Sequence, residues 1–128
     1  MYDELKLIGN LGSDPEMRYA GETAVTNFSL ATNRKWTGQD GQKHEQVVWW
    51  RVSAWGKLAE ICQKYLTKGR TVFVEGQIQP DDNGQPRTFQ LKDGSWAASY
   101  EVRASKVLFL GSKGETVPIS GTDEDLPF

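Results

Sequence analysis

A chain of 128 residues, 38% hydrophobic and 25% charged, has room for one globular core and not two. No run approaches the roughly 20 apolar residues of a membrane helix, Met1-Tyr2-Asp3-Glu4 opens no signal peptide, and the lone Cys62 excludes an internal disulfide, so a cytoplasmic protein is expected. Net charge is −2, and removing Asp123, Glu124 and Asp125 leaves a body at +1, far from the basic surplus usual in readers of duplex DNA.

Leu5 to Leu11 is an apolar-rich strand that ends at the turn signal Gly12-Ser13-Asp14-Pro15. Ala24 to Arg34 alternates, with Ala24, Thr26, Phe28 and Leu30 on one face and Val25, Asn27 and Ser29 on the other. A polar loop containing Gly38-Gln39-Asp40-Gly41 leads to a strand from about Lys43 to Ala54. The helix expected over Gly56 to Leu66 carries one apolar stripe, Leu58, Ile61, Cys62, Tyr65 and Leu66. Gly69 stands where a helix end favours positive φ. Cys62 falls in the stripe and reads as a core residue rather than a reactive thiol.

Thr71 to Gln79 is again a strand, with Gly76 marking a bulge or a close backbone approach. Pro80 to Pro86 is a long loop, followed by a hairpin that turns at Asp93-Gly94. A last strand runs from Tyr100 to Leu110. Periodicity stops at Gly111, so residues 1–110 are expected to form the domain and 111–128 a short flexible linker and tip. The 12 linker residues from Gly111 to Thr122 span roughly 17–21 Å as a flexible chain. The order of strands, all with local β-connections and with one α-helix between strands 3 and 4, predicts a mainly-β protein. The expected fold is a five-stranded oligonucleotide/oligosaccharide-binding (OB) barrel with an extended hairpin and an acidic C-terminal tail.

In Val48-Trp49-Trp50-Arg51-Val52-Ser53-Ala54-Trp55, alternation sends Val48, Trp50, Val52 and Ala54 to one face and Trp49, Arg51, Ser53 and Trp55 to the other. The first is expected to be core or a subunit interface. The second interleaves indoles with a guanidinium, which suits unstacked bases and phosphates, each stack being worth roughly 1–3 kcal/mol with little regard for sequence. Arg34, Lys35, Lys43, Arg51 and Lys57 against Asp40 and Glu45 give this segment a net charge of +3. Trp36 joins the stacking candidates beside Arg34 and Lys35. Arg87, Phe89, Lys92 and Trp96 repeat the pattern in the hairpin. At the chain's end, Asp123, Glu124 and Asp125 followed by Leu126, Pro127 and Phe128 offer charge to a basic groove and a ring to a pocket, as a peptide ligand would.

Catalysis finds little support. One histidine, His44 in a polar loop, and one cysteine are too few for the usual zinc sites. No phosphate-cradling glycine loop precedes a helix, and Asp14, Glu22, Glu45 and Glu75 form no recognisable carboxylate constellation. A non-enzymatic protein without cofactor or metal is expected.

These residues occur in an order that resembles the bacterial single-stranded DNA-binding protein family. The matching segments are Gly9-Asn10-Leu11-Gly12, Asp14-Pro15-Glu16, Arg18-Tyr19, Leu30-Ala31-Thr32, Trp49 with Arg51-Val52, Gly56-Lys57-Leu58-Ala59-Glu60, Tyr65-Leu66-Thr67-Lys68-Gly69, Val74-Glu75-Gly76-Gln77 and the tip Asp123 to Phe128. The resemblance implies base stacking by Trp36, Trp49, Trp55 and Phe89, and backbone contacts from Lys57, Lys68 and Arg87. It implies a homotetramer that coats single-stranded DNA in replication, recombination and repair, associated with the nucleoid. It further implies a tip that recruits partner proteins through Phe128 and its carboxylate. The Pro80 to Pro86 insertion and Trp96 depart from the family pattern, and Trp96 is expected to be an extra stacking site. Two other readings fit a barrel: a replisome or primosome accessory subunit acting by protein contacts, and an oligosaccharide binder, which the basic cluster fits poorly.

Overall fold

Inward residues at every second position of β1 (Leu5–Leu11) start a sheet in which Thr71–Ile78 and the barrel end of Lys43–Trp55 alternate likewise. After β1 come β2 (Glu16–Ala20), β3 (Thr23–Thr37), β4 (Lys43–Trp55), α1 (Lys57–Tyr65), β5 (Thr71–Ile78), β6 (Thr88–Gln90), β7 (Trp96–Ala98) and β8 (Tyr100–Phe109). The computed structural model describes residues 1–110. The expected linker and acidic tip fall at 111–128, outside the described residues.

Sheet order is β1-β5-β8-β4-β3-β2, and a further β1–β3 pairing closes the ring. Five strands, β1, β3, β4, β8 and β5, therefore form the expected OB barrel, and β2 lies outside it as a flap on β3. Leu7, Leu11, Phe28, Leu30, Trp50, Val52, Val72, Val74, Val102, Val107 and Phe109 fill the interior. β6 and β7 form a separate two-stranded finger.

Closure needs backbones to approach more tightly than side chains allow. β1 passes from β5 to β3 at Gly9, where a Cβ would collide with the Ala31 carbonyl. At Gly76 the β5–β8 register slips between Glu75 and Gly76, and a Cβ would strike the Arg103 carbonyl. The glycine expected to mark a bulge or close approach marks both.

The helix is one residue shorter at each end than its pattern suggested, and its buried face is rotated. Ala59 and Cys62 are buried and Leu58 and Ile61 partly so, whereas Tyr65 is exposed. Thr26 explains the rotation: its buried hydroxyl donates to the Ala59 carbonyl at 2.6 Å, pinning that side of α1 to β3. Gly56, with φ 66°, turns the chain out of β4, and its N–H bonds the Ala24 carbonyl at 2.8 Å.

Three further expectations are corrected. β2 was not anticipated: Met17 and Tyr19 alternate with Glu16 and Arg18, but the run is only five residues long and all five are exposed. β4 and β8 pair in parallel rather than through a local connection, with α1, β5 and the finger as the crossover. His44, expected in a polar loop, lies in β4 because β3 and β4 continue past the barrel as a paired ribbon up to Thr37 and Lys43.

Two outcomes are expected. Gly9→Ala or Gly76→Ala should destabilise by about 1–3 kcal/mol, since backbone has to move to admit the methyl; denaturant midpoints measure this, and an unchanged midpoint would contradict the close approach. Burial pushes the Cys62 thiol up to about 12, so at neutral pH it should react with a thiol reagent only after unfolding.

Candidate nucleic-acid interface

β4 carries the site because its two faces meet different surroundings. Trp50, Val52 and Ala54 are buried in the barrel, and the Trp50 indole N–H is satisfied by Thr32 Oγ1 at 2.9 Å. Trp50 thus belongs to the core, with its ring 5.1 Å from that of Tyr100. Trp49, Arg51, Ser53 and Trp55 point the other way. Trp49 is 55% exposed and lies against the β1–β2 turn at Gly12, where even a Cβ would meet the ring. A bare backbone there leaves room for the outer edge of the indole, at Cζ3 and Cη2.

Neighbouring strands extend this face. Register puts Ala31 beside Trp49, Ser29 beside Arg51, Asn27 beside Ser53 and Val25 beside Trp55. Across β3, Arg18 of β2 pairs with the same Val25. Across β4, Glu101 and Arg103 of β8 lie beside Arg51 and Ser53. The Arg103 guanidinium stands 5.1 Å from the centre of the half-buried Trp55 ring, a cation–π contact. A depression of about 200 Å³ lined by Arg18, Asn27, Arg51, Ser53, Trp55 and Arg87, among others, occupies the centre of the face. A second, of about 210 Å³, lies beyond Arg51 and includes Asp14 and Glu16.

The charges on this face are available. Among the described residues the Lys–carboxylate ion pairs gather at Glu75, with Lys6 and Lys106. Arg18, Arg51, Lys57, Lys68, Arg87 and Arg103 have no carboxylate within ion-pairing distance among those residues. Arg87 lines both the central depression and a hollow of about 250 Å³ under the finger, shared with Trp50, Pro80, Pro86 and Tyr100. Its buried Nε lacks a hydrogen-bond partner among the described residues.

The remaining candidates divide. Lys57 follows Trp55 by two residues at the exposed start of α1. Lys68, between α1 and β5, is tied to the β1–β2 turn by its backbone N–H, bonded to Asp14 Oδ1 at 2.8 Å. Trp36 is 49% exposed on the ribbon beyond the barrel. Alternation puts Arg34 on its face and Lys35 on the opposite one, with Trp49. In the finger, Phe89 pairs with Ala97 and Trp96 with Gln90, so Phe89 and the 68%-exposed Trp96 point to opposite sides and do not form one platform. Asp93 shapes the finger's turn: it accepts the Ser95 hydroxyl at 2.6 Å and backbone N–H at 2.9 Å, and the hydroxyl first, then the N–H, hold its carboxyl below the usual range.

Sequence reasoning missed Arg18 and Arg103. Arg103 was legible from alternation along β8, between the buried Val102 and Ala104. Arg18 was not, because β2 lacks any buried face.

Residues 3–110 match the single-strand binding protein family. The chain is 43% identical over 111 residues to the single-stranded DNA-binding protein of Neisseria meningitidis serogroup A, covering 85% of this chain and 60% of that one. It is 40% identical over 115 residues to single-stranded DNA-binding protein 1 of Chlorobaculum tepidum, covering 87% and 66%. The chain thus spans less than two thirds of the length of these relatives. Among solved structures, that of Plasmodium falciparum SSB in complex with ssDNA superposes with a TM-score of 0.72 at 25% identity, covering 87% of this chain and 97% of that one. A deletion variant of the single-stranded DNA-binding protein from Thermus aquaticus gives 0.67 at 31% identity, covering 89% and 53%. With a barrel of the same build and a family match over almost every described residue, the chain belongs to the single-strand binding protein family.

Proposed function

We propose that this protein binds single-stranded DNA without regard to sequence, coats it during replication, recombination and repair, and recruits partner proteins through Asp123 to Phe128. The observation that carries the reading is the outward face of β4, where Trp49 and Trp55 flank Arg51 and the arginines of β2 and β8 stand without carboxylate partners among the described residues. Indoles offer stacking to any base, and unpaired guanidiniums offer charge-assisted bonds to phosphate. A relative whose structure was solved as a complex with ssDNA supports the choice of ligand.

In this reading Trp36, Trp49, Trp55, Phe89 and Trp96 stack on bases. Arg18, Arg34, Lys35, Arg51, Lys57, Lys68, Arg87 and Arg103 hold the backbone. Because Phe89 and Trp96 face apart, a strand contacts the finger on one side or wraps around it. Residues 1–110 form the DNA-binding and oligomerisation domain, and 111–128 the linker and tip. The assembly is a homotetramer, each subunit giving one barrel, working at the nucleoid in the cytoplasm as a binder and not a catalyst.

Titrating poly-dT against tryptophan fluorescence at low and high salt tests this. Strong saturable quenching that weakens as salt rises is expected; absence of quenching at every salt concentration would sink the proposal. Trp49→Ala and Trp55→Ala should each weaken binding by about 1–3 kcal/mol, one lost stack, with the thermal midpoint of Trp49→Ala near that of the parent. Unfolding of both variants at room temperature would mean that core had been mistaken for site. Deleting residues 123–128 should leave DNA affinity equal or slightly higher while abolishing capture of partner proteins; a clear fall in DNA affinity would contradict the role given to the tip.

A further inference from the structure

The far end of the β3–β4 ribbon holds a second ring beside Trp36 that base stacking does not require. Register puts His44 directly across from Trp36, with ring centres 5.5 Å apart and planes 22° from parallel. His44 is the only histidine in the chain. Its Nε2 stands 3.6 Å from Asp40 Oδ1, and that oxygen accepts the Gln42 backbone N–H at 2.9 Å. Gly38 N–H to Gln42 O at 2.8 Å and Gly41 N–H to Gly38 O at 3.0 Å close the turn that brings Asp40 over the imidazole. Space there is tight: a Cβ on Gly38 would sit 2.8 Å from both Asp40 Oδ1 and His44 Nε2. The imidazole is therefore bounded by an indole, a carboxylate and a backbone turn. A hollow of about 430 Å³ opens beside it, lined also by Lys35 and Lys43.

We infer that His44 is a proton-linked positioning residue for single-stranded DNA, which when protonated steadies the Trp36 ring for a base and adds a positive charge beside the phosphate. This rests on the DNA-binding reading above. An imidazolium against an indole face gains a cation–π attraction that a neutral imidazole lacks. Trp36 is half-exposed, and a ring already held loses less rotamer freedom when a base stacks on it. Around His44, Asp40 and Glu45 favour the added proton, and Arg34, Lys35 and Lys43 oppose it. A bound phosphate offsets part of that positive charge, so binding draws a proton onto the ring. Histidine is the side chain whose ordinary titration falls between pH 5 and 8. Strand binding raises the imidazole's proton affinity, so DNA affinity is greatest at the acid end of that range and falls as pH rises through it.

The test is fluorescence titration of the full chain with poly-dT at fixed salt, from about pH 5.5 to about pH 8. Thymine has no group that gains a proton there. Affinity of the parent should fall about three- to tenfold across the range. His44→Gln should be flat at the high-pH value. Asp40→Asn, which keeps the imidazole and removes the anion, should move the fall to lower pH. A flat profile in the parent, or a slope that survives in His44→Gln, overturns the inference and leaves DNA binding standing. Absence of binding at every pH would instead remove the DNA-binding reading and this inference with it.

Discussion

The pleat of β4 is the constraint on which the rest of the molecule depends. Successive side chains leave a strand on opposite sides, so a single run of residues builds the barrel's interior with Trp50, Val52 and Ala54 and the proposed binding surface with Trp49, Arg51 and Trp55. Neither set can be shifted alone. A slip of one residue would expose the core and bury a guanidinium, so the thirteen-residue register between β3 and β4 fixes the core and the site together. The hydrogen bond from Trp50 to Thr32 belongs to the same economy: the one polar atom that the inner indole brings is satisfied by the strand beside it.

Closure of the barrel widens this surface beyond one strand. Parallel pairing with β8 brings Arg103 against Trp55, and the β2 flap brings Arg18 in from the other side. The glycines that permit closure also shape the site. Gly76 admits the β8 backbone just where Arg103 emerges, and Gly12 leaves room for the Trp49 ring. A binding face of this kind is rigid where the barrel supports it, which lowers the entropy lost on stacking. The ribbon and the finger, which extend past the core, need local devices instead. At the ribbon these are His44, Asp40 and the Gly38 turn; at the finger they are the Asp93–Ser95 turn and the Asp81 loop, whose carboxylate accepts the backbone N–H groups of Asn83 and Gln85 at 2.9 Å each.

Much of the domain was open to a reader of the sequence alone. Two-residue periodicity in Ala24 to Arg34 and in Val48 to Trp55, the 3.6-residue stripe around Cys62, and glycine at 69 and 76 all report physics local to a few residues. They determined the strands, the single helix, the bulge and the separation of Trp50 from Trp49 and Trp55. The unlikely company of indoles and arginine on one strand face pointed to bases and phosphates before any fold was known.

What the sequence could not decide depended on pairings between distant segments. The alternation of Met17 and Tyr19 within Glu16 to Ala20 is too brief to mark a strand, because β2 is held by its pairing with β3 and buries no side chain of its own. The true inner side of α1 was set by Thr26, 33 residues away, through one buried hydrogen bond to Ala59. That Arg103 would cover Trp55, that His44 would stand across from Trp36, and that Phe89 and Trp96 would face apart followed from register. Periodicity tells which way a side chain points relative to its own strand; only the pairing of strands tells what it points at.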